Sequence, residues 1–114
     1  KVFSATPGQI AGNVPLVVIV DGGSASASEI VAGALRDHGR AQLVGSKTYG
    51  KGSVQLIHEL ADRSSLHVTT AQWFTPDGTQ ISGQGLAPDI PIAEGEDPLP
   101  AAIAALPMVQ EARK

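Results

Sequence analysis

Apolar positions 16–20, Leu16-Val17-Val18-Ile19-Val20, follow one another without a polar interruption, the pattern of a strand covered on both faces. Asp21-Gly22-Gly23 ends the run with turn residues, so a strand is predicted over residues 15–20. Ile30, Val31, Ala34 and Leu35 then recur at three- and four-residue spacing, which predicts a helix over residues 26–38 with these four on its apolar face. Gly39 suits the position just past its end, and Arg36 and His38 suit its negative pole. Residues 41–44 form a second short apolar segment, completing a β-α-β unit whose strands should be parallel with a right-handed crossover.

Beyond a glycine-punctuated loop over residues 45–52, two β-rich runs at 54–60 and 65–75 flank Ala61-Asp62-Arg63-Ser64 and predict an antiparallel hairpin. Pro76-Asp77-Gly78-Thr79 is a second turn. Glycines and prolines break residues 80–92, although Asp89-Ile90-Pro91-Ile92 suits an edge strand, where proline is tolerated. Residues 99–106 predict a short alanine-rich helix that Pro107 should end or kink. Residues 1–13 mix Ser, Thr, Pro, Gly and Gln without periodicity and read as a connector from a region upstream. The opening Lys1-Val2-Phe3 shows neither an initiator methionine nor a signal-peptide pattern, as expected of a mature product or an excised piece.

Composition narrows this picture. A chain of 114 residues, 42% hydrophobic, can bury one modest core and no more. Its net charge of −3, with lysines and arginines scattered, offers no footprint for nucleic acid. Without cysteine there is no disulfide framework, thiolate metal site or thiol nucleophile. No His-x-x-x-His pair occurs, Asp37-His38 stands alone, and no metal or cofactor is called for.

The chemistry concentrates where the first strand turns into the helix, through Ser24-Ala25-Ser26-Ala27-Ser28-Glu29-Ile30. In open α/β sheets such junctions face ligands. The plainer reading is a capping box, Ser26-x-x-Glu29, in which Ser26 only ends the helix. Gly45-Ser46-Lys47-Thr48-Tyr49-Gly50-Lys51 approaches a phosphate-binding loop, but Gly52 stands where Ser or Thr should be, and a strand pattern follows where a helix is needed. A Ser-His-Asp triad is open by spacing, with His38, His58 and His67 available, yet the Gly-x-Ser-x-Gly elbow is absent.

Taken in order, Gly23-Ser24-Ala25-Ser26-Ala27-Ser28-Glu29-Ile30, Gly39-Arg40-Ala41, Tyr49-Gly50-Lys51-Gly52-Ser53-Val54-Gln55, Phe74-Thr75-Pro76-Asp77-Gly78 and Gly83-Gln84-Gly85-Leu86-Ala87-Pro88-Asp89 resemble the carboxy-terminal processing (tail-specific) serine proteases. The likeness spans residues 15–92, several independent motifs in one order. It implies an α/β fold of the crotonase (ClpP/crotonase) type, a β-α-β core with a β-hairpin and a short C-terminal helix. It also implies a division into connector (1–13), partial protease core (14–92) and linker with short helix (93–114). By the same likeness Ser26 is the nucleophile, Lys51 the general base and Gln55 the residue orienting the lysine. The Ala27 N–H is then one oxyanion donor, and the second lies upstream of the catalytic strand. Asp21 stands where relatives often carry asparagine or another polar residue.

A Ser-Lys site poses a definite physical problem. A solvated lysine, with pKa about 10.4, is neutral for only about one part in 2,500 at pH 7. The helix terminus at Ser26 supplies at most about 2 kcal/mol against a nearby ammonium, so desolvation must supply the rest. Val44, Tyr49, Val54 and Leu56 are the apolar neighbours in sequence expected to bury Lys51. The resemblance further implies substrates with apolar C-terminal tails, a tail-binding PDZ domain upstream, a bacterial periplasmic, cell-envelope or thylakoid-lumen setting, and leaves a homo-oligomer open. The competing expectation is a non-catalytic assembly fragment pairing through exposed strand edges.

Overall fold

The computed structural model describes Ser4 and residues 6–8, 11–12 and 14–111. The connector expected over residues 1–13 therefore lies for the most part outside the described residues. Seven elements follow in order: β1 (Val17–Val20), α1 (Ala27–Asp37), β2 (Gln42–Gly45), β3 (Ser53–Glu59), β4 (Ser65–Gln72), β5 (Ile90–Pro91) and α2 (Leu99–Glu111).

β1, β2 and β5 form one parallel sheet in the order β1-β2-β5, with Val17 opposite Gln42 and Val44 opposite Ile90. Successive side chains of a strand point to opposite faces, and β2 shows what this does to the core. Leu43 joins Val20, Ala32 of α1, Ile81 and Leu86 in one buried cluster. Val44 joins Ala102 and Ala105 of α2 in another, against which Val17, Ile90 and Ile92 pack. The unit is thus a thin parallel sheet with a helix on each face, as the apolar runs required. β5 is an edge strand as expected: the N–H groups of Asp89 and Ile92 donate to Leu43 and Gly45 carbonyls at 2.8 Å each, and Pro91 between them need donate nothing.

Two expectations are corrected. The buried face of α1 is Glu29, Ala32 and Gly33, while Val31 is 58% exposed and Ile30, Ala34 and Leu35 are only half-buried. Small residues let the helix approach closely: a Cβ on Gly33 would stand 2.7 Å from Thr75 Cγ2. Pro107 does not end α2, which stays helical to Glu111. Proline's fixed φ is itself helical, so the element forfeits the N–H bond to Ile103 and continues.

β3 and β4 form a separate antiparallel hairpin with a β-bulge between Val54 and Gln55. Every residue of β4 is exposed, as are five of the seven in β3. The hairpin is an arm projecting from the core. The radius of gyration is 17.0 Å, against about 13 Å for a compact chain of this length.

Candidate active site

β1 ends in a tight turn that Asp21 organises. Its Oδ1 accepts the Gly23 and Ser24 N–H groups at 2.9 Å each and the Ser24 hydroxyl at 3.1 Å. The backbone then passes through Ser26 at φ 57° and ψ −114° before α1 begins. Only glycine adopts that conformation freely, and for serine it costs about 1–3 kcal/mol. Among the described residues the only other positive-φ position without glycine is Arg63, in the hairpin turn. The Gly-x-Ser-x-Gly sequence is missing, yet the strained strand-to-helix turn associated with it is present.

What holds Ser26 in place is Glu29, fully buried one turn into α1. Its Oε2 accepts the Ser26 N–H at 2.9 Å and the Lys51 N–H at 2.8 Å. Its Oε1 accepts the Gly50 N–H at 2.7 Å and the Thr48 hydroxyl at 2.5 Å. Burial pushes the Glu29 carboxyl up, but the bonds from Thr48, Gly50, Ser26 and Lys51 more than offset this and hold it below the ordinary carboxylate value. Because one oxygen serves both, the Ser26 and Lys51 amide nitrogens lie no more than about 5.7 Å apart.

The loop carrying Lys51 is fastened on both sides. Towards the turn, the Tyr49 N–H donates to the Ser24 carbonyl at 3.0 Å. Away from it, Thr48 N–H donates to the Leu86 carbonyl at 3.0 Å, Leu86 N–H to Thr48 Oγ1 at 2.7 Å, and Gly83 N–H to the Gly50 carbonyl at 2.9 Å. Gly50 has φ 90°, and a Cβ there would meet Gly85 N at 2.8 Å, so only glycine permits this docking. The loop then enters β3, not a helix, which removes the geometry a phosphate loop needs.

The residues singled out by sequence are placed as follows. Ser26 is half-buried; Ala27 is exposed, and its N–H donates no hydrogen bond among the described residues. Lys51 is exposed, and its ammonium has neither a hydrogen bond nor an ion pair among them. The expected desolvation is absent here: Tyr49 is 70% exposed, Leu56 is exposed, and Val44 is buried under α2. The loop turns the Gly50 and Lys51 N–H groups and the Thr48 hydroxyl towards Glu29 and leaves the Lys47, Tyr49 and Lys51 side chains outside. Gln55 lies on β3 just past the bulge, where its Nε2 donates to Thr69 Oγ1 at 3.4 Å, and no hydrogen bond joins it to Lys51. His58 and His67 sit on the exposed hairpin, the latter with Nε2 3.2 Å from Ser65 Oγ.

Sequence reasoning missed Glu29 as more than a cap, and missed Thr48 altogether. The only available signal was an acidic residue in the first turn of a helix, which a capping box explains equally well.

The combination of a β-α-β core, a strained serine turn and a docked lysine loop defines a class. The family model described as peptidase family S41 matches residues 1–92, and the chain belongs to that family. Over 98 residues it is 51% identical to a carboxy-terminal-processing protease of Bartonella bacilliformis, covering 86% of this chain and 22% of that one. It is 56% identical over 81 residues to carboxyl-terminal-processing peptidase 3, chloroplastic, of Arabidopsis thaliana, covering 71% and 16%. Among solved structures, the photosystem II D1 C-terminal processing protease superposes with a TM-score of 0.66 at 41% identity, over 81% of this chain and 24% of that one. The tricorn protease shares the fold at a TM-score of 0.64, with 86% of this chain and 10% of that one covered. The chain spans about a fifth of the length of the curated relatives it matches.

Proposed function

We propose that this chain is the nucleophile-bearing core of a serine endopeptidase that cuts proteins near their carboxy termini, using Ser26 and Lys51. The observation that carries the reading is the docking of the Lys51 loop onto the strained Ser26 turn, in a chain of family S41. Lys51 Nζ takes the proton of the Ser26 hydroxyl as Oγ attacks the scissile carbonyl carbon. The Ala27 N–H, free at the positive end of α1, stabilises the resulting oxyanion. The departing amine receives the proton from Lys51, leaving an ester on Ser26 that a Lys51-activated water hydrolyses. Gln55 orients the lysine in this scheme, by turning from Thr69.

A general base must be neutral to accept a proton, and Lys51 is exposed in this chain. Cover over the site then comes from bound substrate or from the remainder of a longer protein, for which an upstream tail-binding PDZ domain is the expected partner. The setting proposed is the cell envelope, or the thylakoid lumen in plants. The chloroplastic relative of Arabidopsis thaliana supports a chloroplast setting in plants.

Hydrolysis of an unstructured peptide with an apolar C-terminus by the intact protein tests the scheme. Ser26→Ala and Lys51→Ala should each abolish turnover while the protein stays folded. Full activity in either variant shows the dyad to be wrong.

A further inference from the structure

We infer that Glu29 is a positioning residue for the proposed Ser26–Lys51 site: its buried carboxylate fixes the nucleophile's backbone and the general base's loop in one geometry. The inference rests on the Ser-Lys reading above. A capping box asks of the Glu29 carboxylate only that it accept the Ser26 N–H. Three further donors, Thr48 Oγ1, Gly50 N and Lys51 N, converge on the same two oxygens from 19, 21 and 22 residues downstream. Each oxygen accepts two bonds, and each serves a different job. Oε2 ties Ser26 to Lys51, while Oε1 ties Thr48 and Gly50 of the same loop.

The chemistry of the donors requires a carboxylate. Thr48 Oγ1 accepts the Leu86 N–H, so its proton is directed to Glu29. All four groups facing Glu29 are therefore donors, and an amide can satisfy only one side. In Glu29→Gln the NH2 would face either the Ser26 and Lys51 N–H groups or those of Gly50 and Thr48, parting the nucleophile from the loop in either orientation. Displacements of about 1 Å at such a site cost about 100-fold in rate.

Two measurements test this. In the intact protein, Glu29→Gln should lower kcat by about 10- to 100-fold with KM within about twofold of wild type. Thr48→Val, which removes one of the four bonds to Glu29 together with the bond Thr48 accepts from the Leu86 N–H and leaves the charge, should lower kcat by about 10-fold, and Thr48→Ser, which keeps both bonds, should restore most of it. On the chain itself, hydrogen exchange followed by NMR should show the Ser26, Gly50 and Lys51 amides losing protection together in Glu29→Gln, while Val18 and Leu43 in the sheet keep theirs. Uniform loss of protection, or unchanged kcat in both Glu29→Gln and Thr48→Val, overturns the inference. Should Glu29→Gln fail to fold, the Thr48 pair decides the matter by the same kcat criterion. Activity retained in Ser26→Ala or Lys51→Ala would instead overturn the dyad, a separate result.

Discussion

Ser26 and Glu29 carry opposite energetic signs within one turn of helix. Ser26 sits in a backbone conformation that glycine would adopt without strain, whereas Glu29 supplies the hydrogen bonds that maintain it. Ser26→Gly should therefore stabilise the fold by about 1 kcal/mol, roughly 4 °C in Tm, while removing the nucleophile. Ser26→Ala should gain nothing, since alanine meets the same restriction at φ 57°. Calorimetry of both variants checks the contrast.

The buried carboxylates also set the acid limit of stability. Asp37, at the other end of α1, is pushed up by burial and more than compensated by Thr75, the Asp77 N–H and Arg36, so like Glu29 it lies below its ordinary value. A carboxyl depressed by folding contributes stability that is fully present above its unfolded pKa of about 4, and that is lost as pH falls through the folded value. Urea unfolding should give a constant free energy between pH 6 and 7 and a falling one below about pH 4. Glu29→Gln and Asp37→Asn should each flatten that decline.

At the scale of elements, Gly33 sets how closely α1 approaches Thr75 and Leu86. Gly33 lets the helix lie against Thr75, whose hydroxyl also accepts the Thr79 N–H at 3.3 Å and so cannot swing aside without loss. Gly33→Ala gains about 1 kcal/mol of helix propensity but forces an overlap costing about 1–3 kcal/mol, so a net loss is expected. Thr75→Ser removes the opposing Cγ2. The double variant should recover most of that loss, and a double-mutant cycle by urea denaturation reads the coupling.

At the scale of the whole molecule, the hairpin is the anomaly. Leu56, Ile57, Leu60, Leu66 and Val68 are all exposed on it, and a two-stranded ribbon with no partner is marginal in water. Its amides should exchange faster than those of β1 and β2. The chain alone should also self-associate with rising concentration, and Ile57→Lys with Leu66→Lys should reduce this in sedimentation experiments. Monomeric behaviour of the unaltered chain at high concentration would show that the apolar arm is tolerated in solvent. Association without hydrolysis is what an assembly fragment would give, and the active-site variants of the intact protein separate the two readings.

The sequence by itself determined the β-α-β unit, the hairpin, the edge strand with its proline, and the motif order that marks the family, because each is a local pattern of period, turn residue or spacing. The unbroken run 16–20 by itself implies a strand covered on both faces. Tertiary structure alone decided which face of α1 is buried, since small residues that permit close approach carry no hydrophobic signal. It also decided that α2 passes Pro107, and that Lys51 offers its backbone and not its side chain to the interior. Above all it decided what Glu29 is. A carboxylate in a first helical turn looks the same in sequence whether it caps one amide or gathers four donors, and only the fold brings residues 48, 50 and 51 to it.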